Sequence, residues 1–363
     1  MGKLHEQGQR LSTRVTTNIC RPDGIPYTAT IDGNTLLVQK ASEAGKSTWR
    51  LDPHPDQLLL ECITADSGTP SVAELLVAIE ACFLTYPQHE QLTLDVSVAD
   101  INELMYLGLV LRDENKQMIV RAELFWQQPT PWLRQPQPYG FPLTYTLRQG
   151  ERHPLRPPKP VGVVYERYIP WLGATLSFRT VDLQHDLESF SRWMNDPVVT
   201  AAWREEGDLA KHRAYLQNID RDPHVIALIA SLDDRAFGYF EVYWAKEDRI
   251  APFYDADDFD RGWHVLIGEP GFRGKPFVTA WLPSISHYLF LNDCRTQRIV
   301  IEPRSDNYKM IRNLGKCGYV NLKEFDFPHK RATLAMLLRE RFFADRHWIP
   351  KDSAASPSSR SLP

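Results

Sequence analysis

The sequence predicts an α/β (α+β) protein, with a mixed central sheet flanked by helices and a smaller α/β domain before it. Three observations predict this. After residue 160, strand-like and helix-like apolar patterns follow one another in the order β-α-α-β-β-β-α-β-α-β-β. A glycine-rich turn, GEPGFRGKPFVTAW at 268–281, joins a short apolar strand to a long apolar helix pattern. In the first half, a helix–strand–helix–strand run echoes residues 276–326 with similar spacing, as a degenerate copy of the second domain would.

At 363 residues the chain has room for two domains. A hydrophobic content of 43% with 24% charged residues excludes wholesale disorder. Lys and Arg total 42 against 46 Asp and Glu, a formal charge of −4, so binding nucleic acid through a global positive field is excluded. No apolar run approaches the roughly 18 residues of a membrane helix. The opening MGKLHEQGQRLSTR lacks a signal core and an acceptor Ser or Thr at its sixth position. The expectation is a cytoplasmic protein with a small-molecule substrate, no nucleic-acid or membrane partner, and a homodimer left open. Cys20, Cys62, Cys82, Cys294 and Cys317 are odd in number and form no CxxC. They are expected as buried small side chains in a reducing compartment, and no metal is expected.

The elements follow in order. Ser71–Tyr86 reads as a helix, residues 92–96 (LTLDV) as a strand, Ile101–Gly108 as a short helix and residues 118–126 (MIVRAELFW) as a strand. Residues 1–126 form the expected N-terminal domain, without a site of its own. Nine prolines then stand in the 34 residues from 127 to 160. Proline lacks an amide proton and restrains its predecessor, so this stretch is expected as an extended connector. Its Tyr139, Phe141 and Tyr145 predict that it packs on something. The expected catalytic domain covers 161–345. It holds a strand at Leu176–Val181, a helix at Asp186–Met194 and a second at Asp208–Ile219. VIALIASL, the turn Asp233-Asp234 and GYFEVYW read as a hairpin. After a polar loop at 246–260 come a strand at Trp263–Ile267 and a helix carrying Phe277, Trp281, Ile285 and Leu289. Arg298–Ile301 is a strand, Asn307–Lys316 a helix ended by Gly318, and 319–326 and 332–338 are the last strands. Residues 346–363 are expected as a disordered tail.

Three stretches carry chemistry. In the first, Gly268, Gly271 and Gly274 precede a helix whose free amides can cradle an anion, with Arg273 and Lys275 adding charge. An ordinary strand-to-helix turn explains the same residues equally well. In the second, RGWHVLIG at 261–268, His264 lies on the strand feeding that turn, where ligands of open sheets bind. In the third, IEPRSDN at 301–307, Asp306 and Asn307 suit helix caps, and Glu302 with Arg304 suits a structural ion pair or a substrate clamp. Trp193, Trp244 and Trp281 are assigned to the core, and His287 and His329 to structural roles.

The element order, with its glycine-rich turn after the fourth strand, resembles the GNAT N-acyltransferase fold. The segments SFR (177–179), RWMNDP (192–197), FGYFEVYWAKEDRI (237–250), DRGWHVLIGE (260–269), RTQRIVIEPRSDN (295–307) and KEFDFPHKR (323–331) resemble the hydroxamate-siderophore acetyltransferases within it. The resemblance covers roughly residues 160 to 343.

It implies acetyl-CoA as co-substrate, His264 as general base and Asp306 as its acidic partner. Asn195 is implied near the acceptor, the coenzyme pyrophosphate on Arg273, Gly274 and Lys275, and Asn307 near the pantetheine arm. Ile267 ends the strand that would run along that arm. Trp203, Arg204 and Arg304 are expected to line the acceptor pocket, and Arg304, Lys330 and Arg331 to meet a carboxylate if the acceptor has one. Two departures stand out. Pro276 occupies a position where the superfamily turn has glycine, and Pro283 is expected to kink the helix. The implied reaction is acetylation of an N-hydroxylated amine to a hydroxamate in siderophore assembly. The acceptor would be N6-hydroxylysine, N5-hydroxyornithine or an N-hydroxy-diaminoalkane. The alternatives are a GNAT enzyme acting on an ordinary amine, such as a protein N-terminus or a small molecule, and a non-catalytic CoA-binding module.

Overall fold

The computed structural model describes residues 16–350 except 23, 42–44, 56, 98–100, 137–139 and 149. Expectations for the opening residues, Tyr139 and the tail from Lys351 lie outside the described residues. The chain divides into two compact units, Met1–Leu124 and Phe125–Pro363.

The first unit holds β1 (Thr16–Cys20), β2 (Tyr27–Asp32), β3 (Thr35–Lys40), β4 (Lys46–Pro53), β5 (Leu58–Ala65), α1 (Val72–Thr85), β6 (Gln91–Asp95), α2 (Ile101–Tyr106), β7 (Leu111–Arg112) and β8 (Met118–Arg121). Its sheet runs β1-β2-β3-β4-β5-β6-β8-β7, and β5–β6 is its parallel pair. A capping box between Ser71 and Glu74 starts α1, which buries Leu75, Val77, Ile79 and Phe83. The strand expected over 118–126 ends at Arg121. Ala-Glu-Leu-Phe then turns into α3 (Ala122–Phe125), as those helix formers favour.

The proline-rich stretch belongs to the second unit and is more than a connector. Trp132 and Leu133 are buried, and Leu133 forms a bridge to Tyr165. Further on, β9 (Tyr145–Arg148) and β10 (Glu151–Pro154) pair as an antiparallel hairpin. Then follow β11 (Val163–Ile169), β12 (Ala174–Thr180), α4 (Leu183–Met194), α5 (Pro197–Trp203), α6 (Leu209–Arg221), β13 (Val225–Leu232), β14 (Arg235–Trp244) and β15 (Arg261–Ile267). The unit closes with α7 (Lys275–Asn292), β16 (Arg298–Ile301), α8 (Tyr308–Lys316), β17 (Val320–Phe327), β18 (Lys330–Leu338) and α9 (Arg339–Ala344). The sheet order is β11-β12-β13-β14-β15-β16-β18-β17, with β15–β16 parallel.

The two sheets therefore share one strand order, with the parallel pair and its crossover helix (α1, α7) in the same place. They differ between their second and third strands. There the first unit has the turn Gly33-Asn34, and the second has α4, α5 and α6. Sequence reading missed β1–β5 in the first unit and β9, β10, β11, α5 and α9 in the second. The start of α5 was nevertheless written in Asp196-Pro197, because the Asp196 carboxylate caps the amides of Val198 and Val199.

Alternation along β14 sorts the core. Phe240 meets Trp281 of α7 on one face (5.7 Å), and Tyr239 meets Phe190 of α4 on the other (4.7 Å). On the second face Leu187, Phe190, Trp193, Met194, Val199 and Leu216 pack on Ile229, Tyr239 and Leu266. The helix α7 is buried along most of its length and continues through Pro283. Trp348 is fully buried against Trp126, Phe342 and Phe343, so the disordered tail expected from residue 346 does not begin there. Cys294 is exposed, against expectation. Among the described residues, no helix is long and apolar enough to cross a membrane.

Candidate active site

The site grows from one register pair. Antiparallel pairing of β14 with β15 sets Glu241 directly opposite His264. Strand alternation puts Tyr239, Glu241 and Tyr243 on the same face, toward α5 and α6. His264 Nδ1 lies 3.2 Å from Glu241 Oε2, and Nε2 lies 2.9 Å from Glu302 Oε1. Trp203 closes over the ring edge-on, at 6.4 Å between centroids, and its indole donates to the Val265 carbonyl at 3.2 Å.

Each carboxylate has its own support. Glu241 accepts from Tyr215 (2.6 Å) and Tyr239 (3.0 Å). Glu302, just past β16, has a fully buried side chain (0% exposed) and accepts from Tyr243 at 2.9 Å. Arg249 reaches Glu302 Oε1 at 3.2 Å, and Lys330 donates to the Glu302 backbone carbonyl at 2.7 Å. Burial works against both carboxylates being ionised. His264, then Lys330 and Arg249, overcome it and hold Glu302 well below the usual carboxylate range. His264 and the tyrosine hydroxyls likewise hold Glu241 low.

Burial also opposes a charged His264, but Glu302 and Glu241 outweigh it and push the imidazole up to about 10. Geometry says the same. Each ring nitrogen faces a carboxylate, and only a doubly protonated ring donates to both. The arrangement favours the imidazolium form of His264 at neutral pH.

Beyond His264 the sheet opens. The parallel pair β15–β16 is matched only at Arg261 and Ile299, so the two strands part toward their carboxyl ends. The corresponding pair in the first unit, β5–β6, stays matched over four positions from Leu58–Leu92 to Glu61–Asp95. The second unit thus leaves a slot of unpaired strand where the first keeps its ladder, and β15 runs on from it into the glycine-rich turn. Gly274, at φ +114°, caps α7 with no side chain, leaving its first turn open to an anion.

Gly268 is tightly fitted, because a Cβ there would lie 2.0 Å from the Trp193 ring, whose indole donates to Glu269 at 2.8 Å. Gly268→Ala should cost about 1–3 kcal/mol by overpacking. An unchanged thermal unfolding midpoint would contradict that fit.

The other expected site residues divide. Arg273 folds back, donating to the carbonyls of Ile267 (3.0 Å) and Gly268 (3.1 Å) and pairing with Asp196 at 3.0 Å. Lys275 is exposed at the start of α7. Asn195 clamps a loop, exchanging two hydrogen bonds with Gly207 (2.8 and 3.0 Å). Asn307 caps α8 by accepting from Met310. Arg204 is exposed, in the left-handed conformation after α5.

The expected partner of His264, Asp306, is 63% exposed and held by Arg304 through two bonds of 3.0 and 2.8 Å. Both ring nitrogens of His264 are taken by other carboxylates. The expected Glu302–Arg304 pair is replaced by Glu302–His264 and Arg304–Asp306. Arg331 pairs with Glu324 and Asp326. Within the polar loop, Asp260 is buried (1% exposed) and bound by Arg298.

Sequence reading missed Glu241, Arg249 and the role of Glu302. The usable signal was a single carboxylate inside the apolar strand GYFEVYW, one hairpin partner away from the strand histidine.

Residues 182–327 match a family model described as an acetyltransferase (GNAT) domain. The chain is 41% identical over 271 residues to an N(6)-hydroxylysine O-acetyltransferase of Escherichia coli, covering 74% of this chain and 84% of that one. It is 33% identical over 351 residues to a hydroxyornithine transacylase of Ajellomyces capsulatus, covering 84% and 80%. It is 47% identical over 213 residues to an N(5)-hydroxyornithine:cis-anhydromevalonyl coenzyme A-N(5)-transacylase of Beauveria bassiana, covering 56% of this chain and 46% of that one.

Proposed function

The chain belongs to the hydroxamate-siderophore acyltransferase family of the GNAT superfamily, and from that premise we propose that it transfers the acetyl group of acetyl-CoA to the nitrogen of an N-hydroxylated amine. The observation that carries this reading is His264 locked between two buried carboxylates. An ordinary alkylamine, with a pKa near 10, is protonated at neutral pH and needs a base to free it. An imidazolium cannot serve as that base. A hydroxylamine nitrogen is less basic and reaches the site neutral. The arrangement suits such a nucleophile better than a plain amine.

In this reading the pantetheine arm lies in the slot between β15 and β16, with the pyrophosphate on the first turn of α7. Pro276 offers no amide there and Arg273 is engaged elsewhere, so the remaining backbone amides and Lys275 hold the phosphates. The nitrogen attacks the thioester carbonyl, the N–C bond forms, and the C–S bond breaks. The His264 charge and the β15 backbone stabilise the oxyanion. The nitrogen's proton is lost to water, and the coenzyme leaves as its thiolate, which takes a proton back from water. Trp203 and Arg204 line the acceptor side. The first unit, with its parallel strands matched and no counterpart of α4–α6, has no part in the chemistry. A cytoplasmic location fits the supply of acetyl-CoA.

The test is thiol release from acetyl-CoA with N6-hydroxylysine, N5-hydroxyornithine and N-hydroxycadaverine, each beside its unhydroxylated parent. The expected result is turnover with hydroxylated acceptors only, giving a product that forms a coloured ferric complex. That colour reports N-acylation, because an O-acetyl product lacks the hydroxamate chelate. Equal turnover with plain amines, or coenzyme binding without turnover, would replace this reading.

A further inference from the structure

The hairpin β9–β10, cut from the proline-rich stretch, is fastened to the loop between β14 and β15. Just after β10, Arg156 is buried to 2% of its side chain and forks onto Glu247, Nε to Oε1 at 2.5 Å and Nη2 to Oε2 at 2.6 Å. His153 Nδ1 lies 2.9 Å from the same Oε1. A third Arg156 bond reaches the Asp258 carbonyl at 2.8 Å. Asp258 itself is held by Lys246 (2.7 Å) and by Tyr145 of β9 (2.5 Å). The Arg156 guanidinium also lies over Trp244 at 4.2 Å, with Arg261 over the same indole at 4.0 Å.

This fastening sits two residues from the site. The loop that carries Glu247 continues through Asp248 to Arg249. Arg249 Nη2 reaches Glu302 Oε1 at 3.2 Å and comes within 3.4 Å of His264 Nε2. Both cations converge on one carboxylate oxygen, so a small shift of the loop changes how Glu302 is shared between them. Charge alone does not require a buried bidentate pair at Glu247, because an exposed loop would satisfy both groups in water. Its burial makes it a costly and specific restraint on where the loop lies.

We propose that Arg156, acting through Glu247, is a positioning residue for acyl transfer: the hairpin sets the loop that delivers Arg249 to Glu302 and His264. The proposal rests on the reading of His264 as the reaction centre, and its test separates the two. Arg156→Ala should lower kcat about tenfold or more while leaving the KM for acetyl-CoA nearly unchanged. In a double-mutant cycle, Arg156→Ala with Arg249→Ala should cost little more than Arg249→Ala alone. Without any substrate, a downfield ring N–H proton resonance of His264, assigned by its loss in His264→Gln, should shift or broaden in Arg156→Ala. If Arg156→Ala does not fold, Glu247→Gln keeps the shape and carries the same readouts. Multiplicative losses in the cycle, or an unperturbed His264 resonance, would overturn the proposal. If instead the wild-type chain turns over no acceptor while the resonance responds to Arg156→Ala, the acceptor reading fails and the positioning stands.

Discussion

His264→Gln should lower kcat about 10²–10⁴-fold with little change in the KM for acetyl-CoA. Glutamine keeps the ring's approximate length and can still donate to one glutamate. It carries no charge, so the stabilisation of the oxyanion is lost while the slot between β15 and β16 stays intact. The pH profile distinguishes this role from that of a free base. With the imidazole pushed up to about 10 by Glu302 and Glu241, activity should be level from neutral to mildly alkaline pH and fall as pH climbs through that value. A free histidine base would instead give a rise through its ordinary value of about 6.5. Stability follows the same sign. Because the folded value is raised, the imidazolium's contribution is complete below the unfolded value and is lost as pH rises through about 10. A profile that climbs between pH 6 and 7 and levels off would return His264 to the role of base.

Glu302→Ala should have the largest effect on stability. The carboxylate is shared by His264, Arg249 and Tyr243, with Lys330 Nζ at 3.5 Å, and its side chain is 0% exposed. Removing one member of a buried charged set strands the others, at a cost of about 3–5 kcal/mol. Glu302→Gln keeps the shape and should fall between the two in stability, with activity lost in both variants. The wild-type carboxylate is held well below its usual range, so its contribution is present at neutral pH and lost only as pH falls through that depressed value. Denaturant unfolding of wild type and variant at neutral and acid pH measures this, and the gap between them should close toward acid. An equal gap at both would remove the ionised Glu302 from the network.

Much of the second unit was legible because its elements are locally consistent. The strand Arg298–Ile301 and the hairpin around Asp233-Asp234 are written in short apolar runs and turn chemistry that need no distant partner. The repeat was legible for the same reason, and the matching order of the two sheets gives it a topological form. The element Val163–Ile169 was missed because its burial depends on a neighbouring strand, and its Glu166 and Arg167 break the apolar run. The proline-rich stretch was expected to pack, but its hairpin was not anticipated, because proline reports where a regular ladder cannot continue, and not which residues beside it pair or pack. Trp132 and Arg156 decide that through contacts far along the chain.

By itself, the sequence determined the fold class, the glycine-rich turn, the strand position of His264 and, through the resemblance, the family. It also marked Trp203, which lies against that histidine. The tertiary structure alone decided what His264 touches. Glu241 comes from the neighbouring strand 23 residues earlier, and Glu302 follows the next parallel strand 38 residues later. Neither distance has a local signature. Asp306 looked like the partner because it lies close in sequence to Glu302 and Asn307, yet its nearest cation, Arg304, is two residues away and captures it at the surface. A charge pairs with what the fold brings within about 3 Å in a dry place, where the interaction is strong, and sequence spacing cannot show which places are dry.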